Sequence, residues 1–339
     1  MKYKILFLCT VCISFITCLL VFPSTASQGV ISGMKICFNI VIPSLFPFTI
    51  AALMFSSVEF SQKKNKNIFQ YFFNRKVVIF IFSNLGGYPV GAKLIDDEYK
   101  KGNIDHKTAE LMLGYCVNSG PAFIILAVGC GIWNNKQLGI LLYLSSVISS
   151  LLIAITTGSL IKEKKGFEQK EYRYTSFSDN FTNSTYEATK AMVRICGTVT
   201  IFTTIIELIK PLLINIPLNN SILSMLEITN GMILSYKNVY FSAFLLGFAG
   251  LSVHFQVLSL CRSVKPNYIR FLFFRIVHGI LSATVLSAFL KIFKIKIQTI
   301  NLNGSLCYEF SKYSMLFSGM LILCSIIFMI SVSKSYNLE

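Results

Sequence analysis

The stretch 110–129, ELMLGYCVNSGPAFIILAVG, carries a turn-like string inside an apolar run. Asn118-Ser119-Gly120-Pro121 would ordinarily form a surface turn, because Gly and Pro interrupt helices and Asn and Ser stabilise turns locally. Here both flanks are apolar, and the whole segment is long enough to enter a bilayer. Irregular backbone at membrane depth survives only where protein buries it or where it lines a cavity. The string therefore predicts either a simple proline kink or a polar site in an interrupted helix.

The chain has 339 residues, of which 54% are hydrophobic and 14% are charged. Soluble domains usually carry about 25% charged residues. Several uncharged stretches reach the ~20 residues that cross a ~30 Å hydrocarbon core. We therefore predict an all-α, polytopic helical membrane protein with about 8–9 membrane segments. The predicted spans are 4–22, 32–57, 77–92, 109–131, 137–161, 188–209, 240–260, 267–290 and 312–332.

The net charge of +16 comes largely from lysines and arginines in short loops beside the apolar runs, such as SQKKNKN at 61–67. This pattern is typical of juxtamembrane anchors that face anionic lipid. No basic helix or aromatic platform stands apart from the apolar runs, so the pattern disfavours nucleic-acid binding. The bilayer is the predicted partner, and Lys2, Lys4 and the lysines of 61–67 place the N-terminus in the cytoplasm.

The ten cysteines lie mostly inside apolar segments and form no Cys/His cluster. They are predicted to be small packing residues, and no metal or cofactor is expected. The sequence also lacks a P-loop, an HExxH motif and a GxSxG motif, and its three histidines are dispersed. These features predict a protein that is not an enzyme.

The chain divides at one clearly polar linker, 162–186. We predict an N-terminal transmembrane helix at 1–28, a first membrane repeat at 29–161, that linker, and a second repeat at 187–339. The first segment resembles a signal peptide in its lysines and its STAS string, but its apolar core is long enough to span, which favours an uncleaved helix.

A faint internal repeat supports the two halves. MKICFNIV at 34–41 matches VRICGTVT at 193–200, and the glycine-rich NLGGYPVG at 84–91 corresponds to LLGFAGLSV at 245–253. Internal duplication with broken helices is typical of transporters, whose substrate site lies at the interface of the repeats. We therefore predict broken or re-entrant helices at corresponding places in two related halves.

Polar and ionisable residues inside apolar segments are costly and are functional candidates by default. Lys93 has the alternative role of an interfacial anchor, and so does Arg275. Gly231 is expected to end a helix just after Glu227 and Asn230. The predicted substrate-binding residues are Lys93, Tyr115, Asn118, Ser119, Gly120, Glu227, Asn230, His254, Gln256 and Arg275.

An ordered set of motifs resembles the YlbJ-type sporulation integral membrane proteins of endospore-forming bacteria, which carry the nucleoside-recognition or gate domain. The motifs are IPSLFPF (42–48), GGYPVGAKL (86–94), NSGPAFI (118–124), LEITNG (226–231), GFAGLSVHFQ (247–256) and RIVHG (275–279). The resemblance implies a multi-pass protein of the inner (plasma) membrane that is needed for the spore cortex and is related to gated transporters.

Two functions follow as expectations. The first is a transporter- or permease-like protein for an unidentified small solute in endospore formation. The alternative is a non-transporting membrane scaffold for spore envelope assembly, whose activity would depend on the linker at 162–186. The sequence leaves open the solute, the coupling ion, the direction of transport, and whether further copies of the chain or other sporulation membrane proteins are partners.

Overall fold

The computed structural model describes residues 2–57, 75–158, 176–213, 215–216, 218–234 and 238–293, and all their regular structure is helical. The helices are α1 (Lys2–Val21), α2 (Pro23–Ile36), α3 (Ile42–Ser57), α4 (Arg75–Gly86), α5 (Tyr88–Lys100), α6 (His106–Tyr115), α7 (Ala122–Ile132, wound as a π-helix), α8 (Lys136–Thr157), α9 (Phe177–Ile209), α10 (Asn219–Ser224), α11 (Ile228–Leu234), α12 (Val239–Phe248), α13 (Gly250–Leu260) and α14 (Tyr268–Phe293).

Five helical stretches in the described part are long and apolar enough to cross a membrane. They are Pro23–Met54, Lys136–Thr157, Phe177–Leu213, Val239–Leu260 and Tyr268–Phe293. Shorter apolar helices occupy Ile5–Val21, Lys76–Gly86 and Ala122–Ile132. The prediction of an all-α, multi-pass membrane protein is confirmed. The total of 8–9 segments stays a prediction, and the predicted span 312–332 lies outside the described residues.

Two of the long stretches begin earlier than the sequence predicted. Helix α2 starts at Pro23, not at 32, because proline suits the first turn of a helix, where its missing N–H has no partner to lose. A π-helical turn, Cys37–Val41, then joins α2 to α3. Helix α9 starts at Phe177, because the Ser176 hydroxyl caps it by accepting the Asp179 N–H.

Helices α2 and α9 pack in antiparallel contact along faces of small residues. A Cβ built at Gly29 would lie 2.7 Å from Thr204 Cα, and one built at Gly33 would lie 2.6 Å from Thr200 Cα. One turn further along, the Cys37 thiol approaches the Cys196 carbonyl at 3.6 Å. Small residues four apart allow helix backbones to approach closely, which is a common way to join helices in lipid.

Three interruptions in the described chain divide apolar segments into pairs of short helices. Gly87, at φ 87°, separates α4 from α5, and Ala249 and Gly250, at φ 77° and 70°, separate α12 from α13. Residues 116–120 separate α6 from α7. The first break is narrower than the sequence suggested, because Pro89 and Gly91 both fit inside α5, with Pro89 in its first turn.

Region 210–237 was expected to be broken or interfacial, and its described part contains only short helices. The expectation that Gly231 ends a helix is wrong, because Gly231 lies in the middle of α11. A Cβ at this position would lie 2.4 Å from the Ser224 carbonyl oxygen. The glycine is therefore explained by the close approach of α10 to α11.

Candidate functional site

The interruption at Gly87 and the interruption at 116–120 meet in the interior. The Asn118 Nδ2 donates hydrogen bonds to Asn84 Oδ1, at 3.0 Å, and to the Tyr115 carbonyl, at 2.7 Å. A Cβ at Gly120 would lie 2.9 Å from the Leu85 carbonyl oxygen and 3.3 Å from the Gly87 nitrogen. The NSGP string is therefore a true break between α6 and α7, with its irregular backbone buried against a second break.

Gly91 forms a second close contact between the broken segment α4–α5 and the broken segment α6–α7. A Cβ at Gly91 would lie 1.7 Å from the Cys116 carbonyl oxygen and 2.8 Å from Ser83 Cβ. Only a residue without a side chain allows α5 to reach the end of α6 this closely.

Tyr88, the first residue of α5, connects these breaks to the second half of the chain. Its phenol donates a hydrogen bond to the Leu246 carbonyl in α12, at 3.1 Å. It also lies beside the Ser119 hydroxyl and within electrostatic range of Arg275 and Glu227. Groups from four separate segments thus bond to this buried phenol or act on it electrostatically.

Arg275 of α14 is fully buried at 0% exposure. Its Nη2 donates to the Gly247 carbonyl, close to the break between α12 and α13. Its Nε and Nη1 have no hydrogen-bond acceptor, and no ion pair involves this guanidinium among the described residues. The interfacial role considered for Arg275 does not fit this burial.

Glu227 is also fully buried and caps the start of α11. Its Oε2 accepts the Asn230 backbone N–H at 2.8 Å and the Asn230 Nδ2 at 3.1 Å. The Asn230 Nδ2 donates in addition to Thr203 Oγ1 of α9, at 2.8 Å. Burial raises the pKa of the Glu227 carboxyl, which lies between two spans, and the hydrogen bonds from Asn230 and Thr229 oppose that shift.

The two buried histidines near Arg275 bond to backbone carbonyls. His254 Nε2 lies 2.9 Å from the Phe248 carbonyl oxygen, beside the break between α12 and α13. His278 Nε2 lies 2.9 Å from the Ser146 carbonyl oxygen of α8, a helix that buries four serines. Both imidazoles lie within electrostatic range of the Arg275 charge.

Several buried polar atoms in this region lack a hydrogen-bond partner within the described chain. They are Asn118 Oδ1, Ser119 Oγ, Ser146 Oγ, Glu227 Oε1, Ser252 Oγ, Arg275 Nε and Nη1, His278 Nδ1 and Ser282 Oγ. In folded proteins the large majority of buried side-chain polar atoms are paired, and each unpaired one needs an explanation. Ordered water or a bound polar solute would supply such partners.

We call Tyr88, Asn118, Ser119, Glu227 and Arg275 the polar cluster. Of the other predicted residues, Gly120 packs beside it, Asn230 bonds to Glu227, and His254 lies within reach of the Arg275 charge. Tyr115 contributes its carbonyl, while its ring lies 6.1 Å from that of Phe80.

Lys93 and Gln256 are placed differently. Lys93 pairs with Asp97 at 3.2 Å and with Glu187 at 3.5 Å, and its side chain is 32% exposed. Gln256 is buried on α13, but no hydrogen bond joins its side chain to the polar cluster in the described part of the chain.

Sequence reasoning missed Asn84 and Tyr88. Both lie in or beside the glycine-rich motif 84–91, so the motif was recognised while its polar members were not. A Tyr or Asn next to a helix break in an apolar segment is the signal that could have identified them.

Lys93 lines a separate pocket of about 230 Å³ formed by α3, α5, α9 and the end of α13. Five cationic side chains face it, against three carboxylates. The cations are Lys93, Lys100, Lys190, Arg194 and Arg262, and the acids are Asp96, Asp97 and Glu187. Pro89 and Val90 also line this basic pocket, directly after Tyr88 in the chain.

Comparison with known proteins gives one informative relative. The chain is 27% identical over 156 residues to the sporulation integral membrane protein YlbJ of Bacillus subtilis (strain 168). The aligned region covers 44% of this chain and 38% of that protein, so the similarity extends over less than half of either. No family model matches the chain, and no solved structure matches it. The alignment supports a YlbJ-like relationship.

Proposed function

We propose that the chain is a transporter- or permease-like protein of endospore formation that binds a small polar solute at the polar cluster. The observation that carries this proposal is the unpaired polar atoms buried where two broken segments meet. Half-helices that end near the midplane, with irregular backbone around a cavity, are the way transporters build substrate sites.

The association with sporulation rests on the relative whose name states it, YlbJ of Bacillus subtilis. From the motif resemblance we propose a place in the inner (plasma) membrane and a contribution to the spore cortex, with the N-terminus in the cytoplasm. The positive charge near the N-terminus supports that orientation.

Transport is tested with a mixture of natural small molecules, because the solute is unidentified. Proteoliposomes that contain the purified chain are incubated with a small-molecule extract of sporulating cells, and their contents are compared by mass spectrometry with those of empty vesicles. We expect at least one compound to accumulate, and Asn118→Ala with Ser119→Ala to abolish its accumulation. The matched control is Gly197→Ala, because a Cβ at Gly197 meets no atom within 4 Å.

The scaffold alternative predicts the opposite dependence in cells. A Bacillus subtilis strain without YlbJ is complemented with this chain, and heat-resistant spores are counted. Loss of spores on Asn118→Ala with Ser119→Ala, but not on deletion of residues 162–175 from the predicted linker 162–186, supports transport. Loss only on shortening the linker supports a scaffold and contradicts the proposed function.

A further inference from the structure

The buried guanidinium of Arg275 has no anionic partner in the described chain. Its Nε and Nη1 are unpaired, and Nη2 reaches only a neutral carbonyl. Arginine stays protonated in proteins, so Arg275 cannot shed this charge. An uncompensated buried charge is strongly destabilising. Something outside the described residues must balance it while the protein functions.

Glu227, the acid of the polar cluster, is poorly suited to that task. Glu227 uses Oε2 to hold Asn230, and no ion pair joins its carboxyl to Arg275. The raised pKa of Glu227 favours its neutral form, which would leave the Arg275 charge unbalanced. Tyr88, the other group beside Arg275, already donates its hydroxyl proton to Leu246.

The basic pocket offers an approach for negative charge. Lys93 and Lys190 pair with acids, at 3.2 Å from Asp97 and 3.3 Å from Glu187 respectively. Lys100, Arg194 and Arg262 have no carboxylate partner in the described chain. A cleft with an excess of cations raises the local concentration of anions. Tyr88, which interacts electrostatically with Arg275, directly precedes the pocket residues Pro89 and Val90 in the chain.

We propose that the transported solute carries an oxyanion group, a carboxylate or a phosphate, that pairs with the Arg275 guanidinium and accepts a hydrogen bond from its unpaired Nε–H or from Nη1. Guanidinium donors match the geometry of both groups. The Ser119 hydroxyl, beside the same tyrosine, donates a further hydrogen bond, and Glu227 Oε1 accepts one from a hydroxyl or amine of the solute. This inference rests on the proposed function.

The test uses acetate and inorganic phosphate as probes. The thermal midpoint of the purified full chain in detergent is followed as each probe replaces chloride at constant ionic strength. A ligand that binds only the folded state raises the midpoint with its concentration. We expect the wild type to respond and Arg275→Met to lose the response, with its affinity weakened roughly tenfold or more. Lys291→Gln removes an exposed cation in the last turn of the same helix, outside both the polar cluster and the basic pocket, and should respond as the wild type does.

Stability without a probe gives an independent readout. Arg275→Met removes an unpaired buried charge with little change in volume, so it should be at least as stable as the wild type in chloride. If Arg275→Met does not fold, Arg275→Lys is used. It keeps the charge without the planar fork and should bind both probes more weakly. The inference is overturned if Arg275→Met and Arg275→Lys respond as the wild type does, if the wild type does not respond, or if Lys291→Gln loses the response to the same degree as Arg275→Met.

The two proposals fail separately. A neutral compound that accumulates in proteoliposomes in a manner dependent on Asn118 and Ser119 would leave transport standing and refute the anionic solute. A response to acetate or phosphate that depends on Arg275, without accumulation of any compound, would refute transport and leave an oxyanion site at Arg275 standing.

Discussion

Gly91→Ala tests whether the two broken segments meet as the structure shows. Gly91 lies inside α5 with ordinary helical backbone, so helix propensity alone would make alanine more stable by about 0.5–1 kcal/mol. The added Cβ, however, would lie 1.7 Å from the Cys116 carbonyl oxygen. The Cβ position is fixed by the α5 backbone and the oxygen belongs to the Cys116 backbone, so no side-chain rotamer change can relieve the contact.

The size of the effect follows from the displacement that the contact requires. A carbon and an oxygen need about 3.3 Å, so α5 and the end of α6 must separate by roughly 1.5 Å. Overpacking of a well-packed interior costs about 1–3 kcal/mol, occasionally more, and this contact belongs at the upper end. For a chain of this size each kcal/mol shifts the melting midpoint by about 2–4 °C, so we expect a fall of roughly 6–12 °C.

The assay is the fraction of purified chain that remains monodisperse in detergent after heating, measured by size-exclusion chromatography. Gly197→Ala is the matched control, because it makes the same change inside α9, where a Cβ meets no atom within 4 Å. We expect the control to melt at or slightly above the wild-type midpoint. A Gly91→Ala protein as stable as this control would refute the packing of α5 on Cys116.

Three further outcomes are expected. In a double-mutant cycle of Asn84→Ala and Asn118→Ala, the 3.0 Å hydrogen bond should give a coupling of about 1 kcal/mol in thermal stability, and strict additivity would contradict it. The raised pKa of Glu227 means that the folded state holds its proton more tightly, so stability should fall as pH rises above the ordinary value of 4.5. Glu227→Gln should flatten this slope above pH 4.5, and an unchanged slope would assign it to other groups. Asp96 accepts the backbone N–H groups of Ser263 and Val264 at 2.8 and 3.0 Å, so Asp96→Asn should cost about 1–2 kcal/mol in melting experiments, and no loss would show that the turn holds without this carboxylate.

The class of fold was predictable because lipid imposes a strong constraint on composition. Apolar helices of membrane length are rare in soluble proteins, and five of the described stretches are long and apolar enough to cross a membrane. The beginnings of α2 and α9 were missed because both helices extend past the apolar run into polar sequence. Helix caps and first-turn prolines, such as Ser176 and Pro23, set those ends, and hydropathy does not detect them.

The breaks were located from glycine and proline, but their extent was not. Gly86, Gly87, Pro89 and Gly91 read as one irregular segment, although only Gly87 leaves the helices. Gly91 and Gly231 are explained by close contacts with backbone, and sequence alone cannot distinguish such a contact from a turn. The distinction depends on a neighbouring segment that is distant in the chain.

The polar cluster was partly predictable because polar residues in apolar segments stand out in the sequence. Asn118, Ser119, Glu227 and Arg275 were selected because polar residues in apolar segments are costly, and the structure buries all four. Lys93 satisfied the same criterion but lies in the basic pocket, where acids pair with it. Their use by a solute stays a prediction. Sequence periodicity could not predict the hydrogen bond between Asn84 and Asn118, because that contact arises from the tertiary packing of two segments.

The small-residue contact between α2 and α9 has a consequence for how the protein is made. Cys37 and Cys196 lie in contact although 159 residues separate them in the chain. Helix α2 is synthesised and inserted before α9 has been translated. The face of α2 that carries Gly29 and Gly33 therefore contacts lipid until α9 is inserted. Dispersion contacts, not water exclusion, join helices in that solvent. The two ends of this pairing therefore come together only late in biogenesis, which makes final closure of the bundle a post-insertion event.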